Sequence, residues 1–141
     1  MRLFVAILLL LHGLITSAQA PAGFRPSEGI ANPGWLSWFP VNLGQSWLLK
    51  SIGTPKPILG TILGFFWIIA GVSLIAAALG LLEVIVPPNF WRPLAAIGAI
   101  TSLVMFVFYV HPFYTVGIAA DFAILIILLW AKWPTPEVLG S

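Results

Sequence analysis

Residues 58–82 contain no charged side chain, and this stretch restricts the fold more than any other feature of the sequence. A helix needs about 20 predominantly apolar residues to cross a hydrocarbon core of about 30 Å. Residues 3–18, 94–110 and 114–130 come close to that length, and Asp121 is the only charged residue among them. These runs are apolar on all faces, which favours helices over the alternating strands of a membrane barrel. We therefore expect an all-α membrane protein with four transmembrane helices in a compact bundle.

The composition of the 141 residues agrees with a lipid environment. The chain is 60% hydrophobic and 7% charged, whereas a soluble domain has about 25% charged residues. Six basic and four acidic residues give a net charge of +2, which is too little to suggest a nucleic-acid partner. The absence of cysteine excludes disulfides, thiol nucleophiles and thiolate metal ligands. The length allows one domain, so residues 1–141 should form a single transmembrane domain.

The connections between the expected helices differ in length. Pro87 and the proline after it break the chain behind the second helix, and Pro112 separates the third and fourth helices. The third and fourth helices should therefore form an antiparallel hairpin. Residues 21–57 make up a long loop rich in tryptophan and proline between the first and second helices. Within this loop, residues 41–50 predict a short interfacial helix with Asn42 as its N-terminal cap.

The first apolar segment fits two interpretations. A basic residue at position 2, an apolar run and then Ala18-Gln19-Ala20 are typical of a secretory signal peptide with a small-residue cleavage site. Pro21 would directly follow the scissile bond, which is a poor position for cleavage. We therefore expect a retained first helix, with a cleaved signal peptide as the alternative.

The basic residues near the ends of the segments set a weak preference for orientation. If the N-terminus is cytoplasmic, equal numbers lie on the two sides: Arg2, Arg92 and Lys132 inside, and Arg25, Lys50 and Lys56 outside. The inside group lies at segment edges, and residues 21–57 resemble an exported segment. We therefore favour both termini inside and loop 21–57 on the extracytoplasmic side.

Asp121 is the most informative single residue. It lies about seven residues into the fourth segment, roughly 10 Å deep at 1.5 Å per residue, where an acid costs about 2.5–3.5 kcal/mol on insertion scales. His12 lies about 13 Å from the opposite edge, which puts the two side chains within roughly 6–7 Å along the membrane normal. The two residues are candidates for an intramembrane proton or ligand site. The alternative is a helix–helix hydrogen bond, or a His12 satisfied by another group, with no further role.

His111 lies in the hairpin connection, directly before Pro112. We expect it to be an interfacial polar residue. The alternative is a ligand to haem or to a chlorophyll-type pigment, which a single membrane histidine can provide. His12 is a second candidate for that role, and spacing gives positive support to neither.

Small residues mark surfaces where helices can approach closely. Gly60 and Gly64 form a GxxxG pattern in the second segment, and Ala76 with Gly80 repeats the spacing. We expect these positions to pack against another helix, either within this chain or in a partner.

Loop 21–57 is too apolar to remain free in solution. Its tryptophans, Trp35, Trp38 and Trp47, should cover the membrane interface and the open end of the helices. The alternative is a docking surface for a partner, because tryptophan is enriched in interface hot spots.

The sequence contains no motif that would indicate an enzyme. A nucleophile elbow, GxGxxG, GxxxxGK[ST] and HExxH are all missing. Two histidines and four widely spread carboxylates make no metal shell. We expect neither catalytic residues nor a metal ion.

The run Leu8-Leu-Leu-Leu-His12-Gly13 in the first segment and Asp121 in the last resemble the DoxX-like small membrane proteins. The resemblance implies four helices, with a histidine–glycine in the first and a polar residue in the last. It also implies a protein of the bacterial cytoplasmic membrane, associated with quinone-linked redox systems or partner enzymes.

These features together favour a non-catalytic accessory or structural subunit of a larger membrane complex of energy conversion or redox chemistry. One alternative is a binder of quinone, pigment or lipid in a pocket beside His12 and Asp121. Another is a small proton-coupled transporter. The expected partners are the lipid bilayer and other membrane subunits, without nucleic acid.

Overall fold

The computed structural model describes residues 1–51 and 57–140. In this part of the chain the helices are α1 (Arg2–Ser17), α2 (Ala20–Phe24), α3 (Trp47–Ser51), α4 (Pro57–Leu81), α5 (Trp91–Phe108), α6 (Thr115–Leu125) and α7 (Pro136–Leu139). A π-helical turn, Ile126–Trp130, continues α6. Over the same residues there is no β-strand, and one isolated antiparallel bridge joins Ile30 and Leu43.

Four stretches of the described residues are long and apolar enough to cross a membrane. They are Arg2–Phe24, Pro57–Leu81, Pro88–Phe108 and Pro112–Trp130. This confirms the predicted all-helical class with four long apolar helices. The predicted bounds of the second and fourth stretches agree with the structure to within a turn, because hydropathy and the proline breaks both act locally. The third stretch begins six residues before the predicted start at residue 94.

The first long helix extends further than predicted. α1 ends at Ser17, but α2 follows almost at once, and together they make a stretch of 23 residues. Pro21 lies in the first turn of α2. Backbone N–H groups in a first turn have no partner within the helix, so a proline there costs no hydrogen bond. The prediction that the loop begins at residue 21 is therefore wrong by four residues, because the helix continues to Phe24.

α1 packs on α4 through two glycines that face each other. A Cβ atom at Gly71 would overlap Ser17 Oγ and the backbone of Gly13, and one at Gly13 would come within 2.8 Å of Gly71 O. Only glycine permits this approach of two helix backbones. The crossing fixes the height of α1 along α4, and with it the position of His12.

The predicted small-residue positions also pack inside the chain. A Cβ at Gly60 would lie 2.8 Å from Phe24 O, and one at Gly64 would overlap the Phe24 ring. Gly80 packs near Val86, with 3.2 Å between its hypothetical Cβ and Val86 Cγ1, whereas Ala76 is half-buried. Among the described contacts, the GxxxG pattern of Gly60 and Gly64 is therefore the surface of α4 on which α2 packs.

α5 packs against α4, and α6 packs mainly against α5. Gly98 of α5 lies against Leu74 of α4, with 2.7 Å between a hypothetical Cβ and Leu74 Cγ. α1 and α6 pack much less closely than α1 and α4 or α5 and α6 do. The looser α1–α6 contact leaves a groove along one side of the helices.

Charged side chains close the end of the molecule that carries both termini, which we call the terminal end. Arg2 Nη2 lies 2.6 Å from Glu83 Oε1, and Arg2 also donates to the Leu81 carbonyl. Arg92 donates to the Pro134 carbonyl.

The loop covers the opposite end, which we call the loop end. The predicted helix over residues 41–50 is wrong in bounds and in cap: α3 is Trp47–Ser51, and its Leu49 N–H donates to Ser46 Oγ at 3.3 Å. Ser46 is fully buried, and its hydroxyl donates to Phe108 O at 2.8 Å, so it links the loop to α5. The outside position assigned to Lys56 lies beyond the described residues.

Candidate functional site

His12 and Asp121, predicted to lie near each other, are in direct contact. His12 Nε2 lies 2.7 Å from Asp121 Oδ1, although 109 residues separate them in the chain. The side chain of His12 is 14% exposed and that of Asp121 is fully buried. A buried carboxylate needs a partner, and the structure supplies it from the first helix. Their role as a proton or ligand site stays a prediction.

Helix packing holds both side chains in place. Gly13, next to His12, seats α1 on Gly71 of α4, and the Thr16 hydroxyl donates to His12 O at 2.8 Å. On the other side, Gly117 faces Phe106 of α5, at 3.0 Å from a hypothetical Cβ to the ring. Because residues one turn apart share a helix face, Asp121 follows Gly117 on the side that faces the other helices.

Asp121 keeps one oxygen without a hydrogen bond. Within residues 1–51 and 57–140 no group donates to Oδ2, and the hydroxyls of Ser17 and Ser102 and the Trp67 indole N–H are also buried without a partner. Gly117 of α6 contacts Phe106 of α5, and the two helices run antiparallel. Ser102 lies one turn before Phe106 and Asp121 lies one turn after Gly117, so Ser102 and Asp121 are at the same height along the two helices. Asp121 and Ser102 are therefore two buried polar side chains at one level that each have an atom without a hydrogen bond, which is unusual for buried groups.

The groove between α1 and α6 contains a cavity of about 500 Å³. Its walls include Leu8, Ile15, Ile124 and Trp133, and His12 is the most polar side chain that lines it. Asp121 lies behind His12 and does not line the cavity. A molecule in the groove would thus meet hydrocarbon on most sides and one imidazole.

A second cavity of about 380 Å³ lies on the other side of His12, toward the loop end. Thr16, Gln19 and Tyr114 line it together with His12. The same imidazole therefore borders an apolar space and a more polar one.

The charge of the pair depends on a single proton. The pair is neutral when it holds this proton, either as an imidazolium beside a carboxylate or as a neutral imidazole beside a carboxyl group. Without the proton, a neutral imidazole lies beside a carboxylate and the pair carries a net negative charge. A net charge in apolar surroundings costs far more than a neutral pair. The arrangement can therefore hold a proton and exchange it with a neighbour that accepts or donates one.

His111 lies in a different setting. It is buried, with 3% of its surface exposed, and its expected position at the membrane interface stays a prediction. Its Nε2 lies 2.9 Å from Asn32 Oδ1, and its Nδ1 accepts the Phe113 N–H at 3.2 Å. Burial lowers the pKa of His111. Because both ring nitrogens are engaged, the geometry does not favour this residue as a haem or pigment ligand.

The three loop tryptophans separate into two kinds. Trp35 and Trp38 are 69% and 72% exposed, and Trp35 makes an edge contact with Phe113 at 5.7 Å. Trp47 instead donates its indole N–H to Val107 O at 2.6 Å. Trp47 thus fastens the loop to α5, whereas the other two present their rings outward.

Sequence reasoning missed the residues that support the pair. Gly13 and Gly71 form no spacing motif within either helix, and Gln19, which lines the second cavity, lies in a segment expected to be a helix end. Only a lone glycine beside His12 hinted at the crossing. Among the described residues, no group of three histidine, aspartate or glutamate side chains comes together as a metal site.

Comparisons with protein-family models, with curated proteins and with solved structures find no match to this chain. The resemblance to DoxX-like proteins stays a prediction, and the function has to be argued from the geometry.

Proposed function

We propose that this chain is a non-catalytic integral membrane protein that binds an apolar ligand with a carbonyl or hydroxyl headgroup, such as a quinone or a lipid, in the groove beside His12. In this proposal the four long helices form a compact transmembrane bundle in a bacterial cytoplasmic membrane. The observation that carries the proposal is the apolar cavity of about 500 Å³ with one imidazole in its wall. Ligand pockets are typically about 300–1,000 Å³, mostly apolar, with a few placed polar groups.

The His12–Asp121 pair supplies the recognition chemistry. Since Asp121 occupies Nε2, the other ring nitrogen of His12 is left to meet a headgroup. The free nitrogen of the His12 ring can donate to a carbonyl when the pair holds its proton. It can accept from a hydroxyl when the pair lacks that proton. This chemistry suits a quinone or a lipid headgroup better than a haem or pigment metal.

The charged terminal end supports the proposed orientation. Arg2 and Arg92 both lie at that end, where they bind carbonyls of Leu81 and Pro134. Basic residues at span edges favour the cytoplasmic side. We therefore place both termini in the cytoplasm and the loop end outside.

The test is ligand binding by the protein in lipid nanodiscs, with a short-chain benzoquinone as the probe and mass spectrometry of co-purified lipids and quinones. We expect saturable binding that weakens by about tenfold or more in His12→Ala and Asp121→Asn, which removes roughly 1.4 kcal/mol of binding free energy. His111→Gln is the matched control, because His111 does not line the groove. Unchanged probe affinity and unchanged bound molecules in both groove variants would contradict the proposal.

The exposed rings of Trp35 and Trp38 favour a second candidate function, an accessory subunit of a larger membrane complex. Exposed tryptophans at a rigid loop are suitable anchors for a partner subunit. Native mass spectrometry after mild detergent extraction from native membranes tests this function. A co-purifying membrane subunit that is lost in Trp35→Ala/Trp38→Ala supports it, and a solitary, monodisperse chain contradicts it.

A further inference from the structure

Two cavities at the loop end share part of their walls. The cavity beyond His12, about 380 Å³, which we call the inner cavity, borders a cavity of about 440 Å³, which we call the outer cavity. Gln19, Leu43 and Tyr114 line both. The groove and the inner cavity likewise share His12 and Ile15. The three spaces therefore follow one another along α1.

The polarity of these spaces rises toward the loop end. The groove offers one imidazole, and the inner cavity adds Thr16, Gln19 and Tyr114. The outer cavity is lined by Arg25 and Glu28, whose side chains are 72% and 68% exposed. Water can thus enter from the loop end and find hydrogen-bond partners at each step inward.

A hydrogen bond divides the inner cavity from the outer one. The Tyr114 hydroxyl donates to Gln19 Oε1 at 3.2 Å, and Gln19 Nε2 donates to Ile15 O at 3.5 Å. Tyr114 is 7% exposed. The Gln19 and Tyr114 side chains therefore form a narrow polar partition.

We propose that the inner and outer cavities form a one-sided proton path from the aqueous phase at the loop end to the His12–Asp121 pair, with Gln19 and Tyr114 as its partition. A proton would pass from water in the outer cavity, across the partition, to the imidazole and its carboxylate. Asp121 lines neither cavity, so its carboxylate, with Oδ2 unpartnered, would receive the proton through His12. Intramembrane acids and histidines commonly mark such relays.

The path does not continue to the terminal end, because the groove on that side of His12 is lined by apolar side chains. The proposal is therefore proton exchange with one aqueous phase, rather than transport across the membrane. It rests on the proposed function in its placement of the helices in a membrane, and it deepens that function by giving a headgroup in the groove a source of protons.

Hydrogen–deuterium exchange of the His12 ring N–H, followed by ¹⁵N NMR of histidine-labelled protein in nanodiscs, tests the path. Gln19→Leu should slow exchange by about tenfold or more, because an apolar constriction excludes water. Gln19→Ala, which opens the partition, should speed exchange by about tenfold. Gln45→Ala is the matched control, since Gln45 lies at the same end, donates to Ser27 O and lines neither cavity.

Opposite effects of the two Gln19 variants support the path, and exchange that both leave unchanged overturns it. If Gln19→Leu does not fold, Tyr114→Phe should slow exchange, because it removes a polar group from the partition and leaves the ring in place. Tyr109→Phe, outside both cavities, should not change the exchange rate. Quinone binding is measured on the same samples. If quinone does not bind but exchange still depends on Gln19, the proposed ligand is refuted and the proton path is supported. If quinone binds but exchange does not depend on Gln19, the proton path alone is refuted.

Discussion

The two histidines of this chain show how differently a fold can treat the same side chain. His12 has one ionisable partner and borders two cavities, while Asp121 behind it keeps an oxygen without a bond. His111 has both ring nitrogens bonded to neutral groups and lies among aromatic rings, with Phe39 at 5.3 Å. The first arrangement leaves room for a proton or a ligand, and the second leaves none.

The difference teaches which buried polar group to regard as functional. Asn32 also donates its amide to Phe39 O at 3.3 Å and to Val41 O at 2.9 Å, so the His111 cluster folds the loop onto the helices. A fully bonded network of this kind gives rigidity. Functional sites often contain an incompletely bonded pair of ionisable groups beside a cavity, and the proposed function of His12 and Asp121 rests on this likeness.

The largest expected effect comes from breaking the pair. His12→Leu leaves Asp121 without a partner and should lower the free energy of unfolding by about 3–5 kcal/mol. The double variant His12→Leu/Asp121→Leu should recover most of that loss, because no buried charge remains. Unfolding in mixed micelles with a denaturing detergent measures both.

His111→Leu provides the contrast for this experiment. It breaks neutral hydrogen bonds only, so the expected loss is about 1–3 kcal/mol. A double variant as unstable as His12→Leu would show that packing, and not charge, dominates at the pair.

A smaller effect is expected when the support of His12 is moved. Gly71→Ala would press a methyl group against Ser17 and Gly13, push α1 away from α4 and cost about 1–3 kcal/mol. The ¹⁵N signal of His12 should shift, and that of His111 should not. Gly34→Ala is the control, because a Cβ there meets open space. If the ¹⁵N signal of His12 is the same in Gly71→Ala and Gly34→Ala, the position of His12 does not depend on the contact between α1 and α4.

The smallest expected effect is on the loop, through pH. Burial lowers the pKa of His111 below its ordinary value of 6.5, so the unfolded loop binds a proton before the folded one does. The contribution of His111 is therefore complete above pH 6.5 and is lost as the pH falls through the folded pKa. Relative to the intrinsic exchange rate at each pH, the amides of residues 30–43 should be less protected at about pH 5.5 than at about pH 7.5.

The control for the pH experiment is His111→Gln, which cannot titrate. Its loop should exchange at rates that do not change with pH beyond the intrinsic chemistry. If the wild-type loop behaves in the same way, the burial of His111 has no energetic consequence.

The long helices and the contact between His12 and Asp121 could be predicted because each rests on a large local cost. Uncharged runs, proline breaks and an acid within a span leave few alternatives, whatever the rest of the chain does. The approach of His12 to Asp121 followed from depth alone, since helix rise is constant.

Other features depend on contacts that the sequence does not encode locally. Asn32 and His111 are 79 residues apart and carry no charge that would pair them. Gly13 and Gly71 meet only because of the angle between α1 and α4. The groove beside His12 arises from the loose packing of α1 against α6, and no residue type in the sequence predicts that packing.

The chain separation within the His12–Asp121 pair has a consequence for biosynthesis. His12 emerges from the ribosome early, and its partner follows 109 residues later. Every insertion intermediate that lacks α6 therefore holds an unsatisfied histidine, and the contact closes only after the last long helix is in place. A product truncated before residue 121 would lack the carboxylate that His12 contacts, so this contact forms only in a chain that includes α6.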